Sequence, residues 1–421
     1  MEAGTRIPSP CESENHAETD MELEEELPAT VEELREVLRS CNEVYGEGAH
    51  SDTAEAMQAL ADALLEEEDE DIEGRRAEAL QLNRKVAKMF AEICGPTHFN
   101  TVTAVRAVVD ILADSDKLSD AIAEAEKLAT AVESHETDFE AAAIARLILA
   151  DMWELQGDTQ TYMSCLHAAH RELQKADRPT LFLASVLYRL SRCYVEQDDQ
   201  VKAITYQEQA VAAATEYYGA ESAETALRIH TYADLLFNNG KEEAIPLFER
   251  ALAIQKKINA ATDELMHTYL GLARAYLWAD EAAKAENLHA EAYTLAMGSG
   301  DGQVIATVLT DIGNYLLSAG AEEDSTAKKE RGADMLLTAF PHVCEGQDRE
   351  ACLELAVTLH EGLPEEPARW LAVFDDVWEI VKDSWEDVCA DASSAVTTDF
   401  LAAYATVKAA AQGRATKAAI E

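Results

Sequence analysis

The sequence predicts an all-α solenoid of about eight helix pairs, and three observations carry that prediction. Helix breakers are sparse, with 18 glycines and nine prolines in 421 residues, while alanine is the commonest residue. The chain is too long for one ordinary core, so it must be either several domains or one extended array. A set of small residues recurs about every 41 positions and keeps its phase along most of the chain. Amphipathicity of period 3.6 does not hold phase over such a distance, so the array is selected.

Taken in order, residues 1–27 are acidic and poor in apolar residues, and are predicted to be a disordered tail. The solenoid is read over residues 28–363. It opens with a helix at about 30–45, where Val31, Leu34, Val37, Leu38 and Cys41 form an apolar stripe, an N-terminal cap for the array. The repeat is clearest in Leu190-Ser191-xx-Tyr194 with Ala203-x3-Gln207-x2-Ala210. It returns as Tyr232-Ala233-xx-Leu236 with Ala244-x3-Phe248-x2-Ala251, and as Leu272-Ala273-xx-Tyr276 with Ala285-x3-His289-x2-Ala292. In the first helix of each pair the small position falls at Ala61, Val109, Ala150, Ser191, Ala233, Ala273, Gly313 and Ala356. In the second it falls at Ala79, Ala121, Tyr162, Ala203, Ala244, Ala285 and Ala333. Two antiparallel helices that approach closely need a small contact on each, and an aromatic or Leu fills the groove between neighbouring pairs.

Punctuation follows the same phase. Pro96 and Pro179 precede first helices, Pro246 begins a second helix, and Pro341 is read as following the seventh pair. Gly157, Gly240 and Gly320 are placed in the turns inside their pairs, so that no helix interior carries a proline. Two insertions lengthen the period and are expected to be exposed loops: the acidic run Glu66–Asp71, and residues 321–332 with Lys328-Lys329-Glu330-Arg331. Residues 364–421 are predicted to be capping helices. Trp370, Phe374, Val377, Trp378, Val381, Trp385 and Val388 step at helical spacing, as either an apolar cap or a self-association or partner face. A last helix at about 396–412 is Ala-rich, with basic Lys408, Arg414 and Lys417 at or beyond its end.

These residues resemble the tetratricopeptide repeat, whose pair reads large-small-xx-aromatic, then small-x3-aromatic-x2-small. The resemblance covers about residues 50–340 and implies a right-handed solenoid. The period near 41, and Tyr45-Gly46, Cys94-Gly95 and Tyr218-Gly219 each ahead of a Thr-Ala pair, are similar to the longer-helix subtype of kinesin light chains.

The charge sum, 34 basic against 81 acidic residues for a net −47, excludes nucleic acid as the default partner and disfavours an anionic membrane surface. No run approaches 18 uninterrupted apolar residues, so no membrane-spanning helix is expected. The N-terminus lacks the basic and apolar regions of a signal peptide and is too acidic for a transit peptide. Eight cysteines without a CxxC read as reduced thiols, which points to the cytoplasm. Phosphate-binding glycine loops, GxSxG and HExxH are absent, and acids are too common for a pair of them to signal catalysis. His167 and His170, beside Cys165, have no second pair at zinc spacing. The expectation is a non-enzyme that uses no cofactor and no metal.

The resemblance implies a concave groove lined by first-helix positions three before, one after and four to five after the small residue. In that register the candidates are Arg106, Asp110, Asp151, Tyr188, Arg192, His230, Asp234, Phe237, Arg274, Trp278 and Asn314. With Asp62, Asp114 and Glu154, the first three pairs are acidic. The Lys and Asn clamp with which chaperone-binding relatives hold a terminal carboxylate is not present. The basic groove of kinesin light chains that takes tryptophan–acidic peptides is missing too, as is a coiled coil upstream. The leading expectation is a cytoplasmic scaffold or adaptor that binds an extended or helical segment of another protein, with basic residues toward one end. The alternatives are a constitutive structural subunit of a cytoskeletal or ciliary assembly, or an accessory subunit of a catalytic partner. The oligomeric state is left open.

Overall fold

The computed structural model describes residues 30–46, 48–66, 72–133, 139–176, 179–345, 349–362, 371–381 and 399–408, and every regular element among them is an α-helix. Helix α1 (Val31–Tyr45) stands alone. The pairs are α2 (Ser51–Glu66) with α3 (Ile72–Ile93), α4 (Phe99–Asp114) with α5 (Leu118–Glu133), α6 (Phe139–Gln156) with α7 (Thr159–Leu173), and α8 (Leu183–Glu196) with α9 (Gln200–Tyr218). They continue as α10 (Ala223–Asn238) with α11 (Ala244–Ile258), α12 (Thr262–Trp278) with α13 (Ala282–Ser299), and α14 (Gly302–Glu322) with α15 (Thr326–Glu345). Then come α16 (Arg349–Gly362), α17 (Leu371–Val381) and α18 (399–408). Contacts divide the chain into two compact units, Met1–Gly219 and Ala220–Glu421.

In the first unit the repeat register holds at every pair. Ala61, Val109, Ala150 and Ser191 on the first helices, and Ala79, Ala121 and Ala203 on the second, are all buried. In α8 and α9 the two small positions touch: Ser191 Oγ donates to the Ala203 carbonyl at 2.8 Å. Tyr162 takes the small position of α7 and is buried as well. Helix α1 starts with a Thr30–Glu33 capping box. Its Val31, Leu34 and Leu38 pack half-buried on the core of α2 and α3. Val37, expected in the same stripe, is 49% exposed; at 100° per residue it falls at the rim.

The second unit keeps the register through Ala233, Ala273, Gly313 and Ala356, and through Ala244, Ala285 and Ala333, all buried. Three expectations are corrected in its α14–α15 pair. The insertion at 321–332 is not a loop, because α14 runs to Glu322 and α15 begins at Thr326, so the extra residues extend both helices. Gly320 is buried inside α14 rather than in the turn, which falls at Asp324 with φ 52°. Pro341 lies inside α15, not after it. The reason is glycine contact. A Cβ on Gly313 would come within 2.6 Å of Leu336 Cδ2, and one on Gly332 within 2.9 Å of the Gly313 carbonyl oxygen. Bare backbone along both helices lets them stay in contact over their whole length. Gly157 and Gly240 do occupy turns, with φ of 78° and 64°.

By length and composition α14 is apolar enough to cross a membrane. Its Ile305, Val308, Leu309 and Leu316 are instead buried in a helix that packs on α12, α13, α15 and α16, as a core helix does. Toward the C-terminus, Phe374 and Val377 of α17 are fully buried, and Phe374 stacks on Phe400 and Tyr404 of α18 at 5.2 and 5.9 Å. Trp378 is half-buried, 6.2 Å from the Tyr404 ring. The acidic tail 1–27, Trp370, Trp385, Val388, Arg414, Lys417 and positions 67–71 of the first insertion lie outside the described residues.

Candidate functional site

First helices of neighbouring pairs touch one another: α4 with α6 in the first unit, and α10 with α12, α12 with α14 and α14 with α16 in the second. One exposed line from each first helix therefore joins a common face within each unit, and the predicted site residues sit on these faces.

In the first unit the face is an ion-pair network. Arg106 Nε lies 3.5 Å from Asp110 Oδ2 and its Nη2 3.9 Å from Asp151 Oδ2. Asp151 is also gripped by Arg189, whose Nη2 is 2.5 Å from Asp151 Oδ1 and 3.1 Å from Glu154 Oε2. The Arg189 Nε donates to the Tyr162 hydroxyl at 3.0 Å, and the guanidinium lies over the Tyr162 ring. Only 18% of this arginine side chain is exposed. Burial works against its charge, but Asp151 and Tyr162 outweigh burial and hold it more firmly protonated than usual. Burial pushes the Asp110 carboxyl above the usual range; Arg106 opposes this and Asp151 adds to it. Tyr188 is half-buried against the small cluster of α8 and α9. Arg192 is exposed and makes no ion pair among the described residues.

In the second unit His230 is locked, with Nδ1 3.1 Å from Thr268 Oγ1 and Nε2 3.1 Å from Asp234 Oδ2. Arg274 Nε pairs with Asp311 Oδ1 at 3.1 Å. Arg274, Asp311 and Asn314 line a pocket of about 260 Å³ with Leu270 and Thr310, between α12, α14 and α16. Phe237 is half-buried, and Trp278, at the end of α12, is 52% exposed.

Arg189 and Asp311, which organise the two faces, escaped the sequence reading. Both stand two residues before the small position, as does Gly271, whose lack of a side chain makes room for the buried Phe248 ring. That position meets the second helix of the preceding pair: Arg189 meets Tyr162, Gly271 meets Phe248, and Asp311 meets His289. A charged residue at a register position that faces a neighbouring helix is the signal that finds them.

His167 and His170 belong to an aromatic cluster of α7, α8 and α9. His167 Nε2 lies 3.2 Å from the Tyr194 hydroxyl, and His170 meets the Tyr206 ring edge-on. Burial holds both histidines below their ordinary pKa. Among the described residues no three His, Cys, Asp or Glu side chains are grouped to hold a metal ion.

Residues 182–257 match the tetratricopeptide repeat family model. Among solved structures, BtubC (BKLC) from P. vanneervenii is 17% identical, with a TM-score of 0.50 over 55% of this chain and 94% of that one. The kinesin light chain TPR-like repeats of Podosopora anserina are 18% identical, with a TM-score of 0.38 over 49% of this chain and 97% of that one. Aspartyl phosphate phosphatase F from Bacillus subtilis is 13% identical, with a TM-score of 0.48 over 87% and 96%. No curated protein matches the sequence. Residues 182–257 thus carry tetratricopeptide repeats, and the likeness to BtubC is one of fold.

Proposed function

We propose that this tetratricopeptide-type array is a non-enzymatic scaffold or adaptor that holds a segment of another protein on its first-helix faces. The observation that carries the reading is the set of side chains left exposed there. Each first helix buries its small position, yet Arg106, Arg192, Arg274, Asn314 and Trp278 remain accessible. Arginine forks take carboxylates and an exposed tryptophan supplies a flat apolar anchor. Asp62 and Asp114, outside the ion-pair network, give the first unit exposed acids that suit basic residues in the bound segment. The reading takes the chain to work in the cytoplasm, supported by free thiols at the described Cys41, Cys165 and Cys193.

A second reading, a permanent structural subunit of a cytoskeletal or ciliary assembly, is favoured by apolar exposure on second helices. Val201 of α9 is 77% exposed, and Leu295 and Met297 of α13 are exposed too. Crosslinking mass spectrometry on the tagged protein purified from its own cells, at low and physiological salt, separates the two. Substoichiometric, salt-sensitive crosslinks along α4, α6, α8, α12 and α14, lost in the Arg192→Glu/Arg274→Glu double variant, are expected for the adaptor. Stoichiometric, salt-resistant crosslinks centred on α9 and α13 would overturn it in favour of the subunit.

A further inference from the structure

In a chain of net charge −47, residues 79–91 of α3 contain no acid and hold Arg84, Lys85 and Lys88. Arg84 and Lys85 are exposed and make no ion pair among the described residues, and the same is true of Arg39 on α1. Lys88 has only a loose partner, Glu92 at 3.8 Å, with both side chains exposed.

Lys85, Lys88 and Met89 line an open pocket of about 510 Å³ with Asn42 of α1 and Met57 of α2. Glu92 is the one acid in its lining. Arg35 Nη2 lies 2.9 Å from Glu78 Oε2, and seven residues further along each helix Asn42 and Lys85 share the pocket. Helices α1 and α3 therefore run in the same direction, and the pocket lies toward their C-terminal ends. No residue of α1 is fully buried, and Val37 and Val44 are 49% and 72% exposed. A terminal helix with apolar residues left outside is an incomplete cap.

The chain carries a matching segment within reach. Residues 18–24, Glu-Thr-Asp-Met-Glu-Leu-Glu, hold four acids and no base, with Met21 and Leu23 among them; they lie outside the described residues. Asn42 is twelve residues beyond Thr30, about 18 Å along α1. Residues 18–24 precede Thr30 by six to twelve positions, which span about 20–40 Å when extended. So short a tether gives an effective concentration in the millimolar range, an advantage over any free acidic partner. The other acidic run, Glu66–Asp71, is held at Ile72, thirteen residues or about 20 Å before Lys85, and does not reach the pocket.

We infer that residues 18–24 fold back along α1 and dock in this pocket, with their carboxylates on Lys85 and Lys88 and with Met21 and Leu23 against Met57 and Met89. Opposite charge brings the segment in, and burial of the two apolar side chains seats it. The contact completes the N-terminal cap. It uses none of the residues assigned to a partner segment, so it and the adaptor reading fail separately.

The test is zero-length carbodiimide crosslinking of the full chain, read by mass spectrometry. Nitrogen-15 chains are mixed with unlabelled ones, which tells links within a chain from links between copies. Within one chain, links from residues 18–24 to Lys85 or Lys88 are expected to be at least about tenfold more abundant than links to the exposed Lys117 and Lys127. They should fall several-fold between about 0.02 and 0.5 M salt. Met21→Ser/Leu23→Ser leaves every linking group in place and should lower the yield several-fold. A second measurement follows amine acetylation. Neutralising the tail with Glu18→Gln, Asp20→Asn, Glu22→Gln and Glu24→Gln should speed modification of Lys85 and Lys88 several-fold and leave Lys117 unchanged. All these changes lie outside the described helices, so the repeats stay folded. Links spread evenly over exposed lysines, links only between copies, or unchanged acetylation of Lys85 and Lys88 would each overturn the docking. An undiminished yield from the Met21→Ser/Leu23→Ser chain would overturn the apolar half of the contact.

Discussion

The first-helix faces of the two units differ in what their charged residues do. In the first unit Arg106, Asp110, Asp151, Arg189 and Glu154 neutralise one another across three helices, and Arg189 is mostly buried in doing so. In the second, the Arg274–Asp311 pair lines an open pocket, and Trp278 stands out into solvent. A tally of acids makes the first face look the stronger electrostatic surface, yet Asp151 is already committed to two arginines. Repeat register says which face a side chain joins. The neighbouring pair decides whether it stays available.

The largest effect tests the register on which the comparison stands. Ala203→Trp places an indole where Ala203 is fully buried against Ser191, and should destabilise the fold by about 3 kcal/mol or more. An unchanged melting temperature would sink the assignment.

The next pair of variants sets the two faces side by side. Arg189→Leu takes from Tyr162 its guanidinium partner and from Asp151 the closer of its two arginines, in a partly buried setting, and should cost about 2 kcal/mol of stability in urea unfolding. Arg274→Leu removes half of a more exposed pair and should cost about 1 kcal/mol or less. Equal costs would erase the distinction drawn here.

The smallest effect concerns pH. Burial first, then Arg171 and Lys202, hold the His167 pKa below its ordinary value; burial, then His167, do the same for His170. The unfolded chain then takes up protons before the folded one does. The contribution is intact above the unfolded histidine pKa and is lost as pH falls through the folded value. Replacing both histidines by Phe should therefore narrow the drop in melting temperature between pH 7.5 and pH 5. A drop equal to that of wild type would show that the pair is not the cause.

The helix pairs were legible because close approach favours a small residue at most contacts, and the chain repeats it often enough for the register to survive Val109 and Tyr162. Ala61, Ala150, Ala233 and Ala273 are all fully buried. The ion pairs were less so, since they join residues of different helices, and which second-helix side chain faces which first-helix position is a matter of three-dimensional packing. The α14–α15 extension was misread for another reason. Added length between two helices is the same in sequence whether it forms a loop or lengthens both helices, and only the meeting of Gly313 with Gly332 decides it.

That pair also bears on how the second unit comes apart. With 21 and 20 residues, α14 and α15 are about 30 Å long, where α10 and α11, with 16 and 15, reach about 23 Å. In an array held by nearest-neighbour contacts, unravelling starts at an end and advances pair by pair. Fraying that enters through α18 and α17 meets its firmest barrier at the glycine-packed α14–α15 contact. Amide protons in the middle of α14 should be the last of the second unit to exchange with solvent, so this pair acts as a brake on opening from that end.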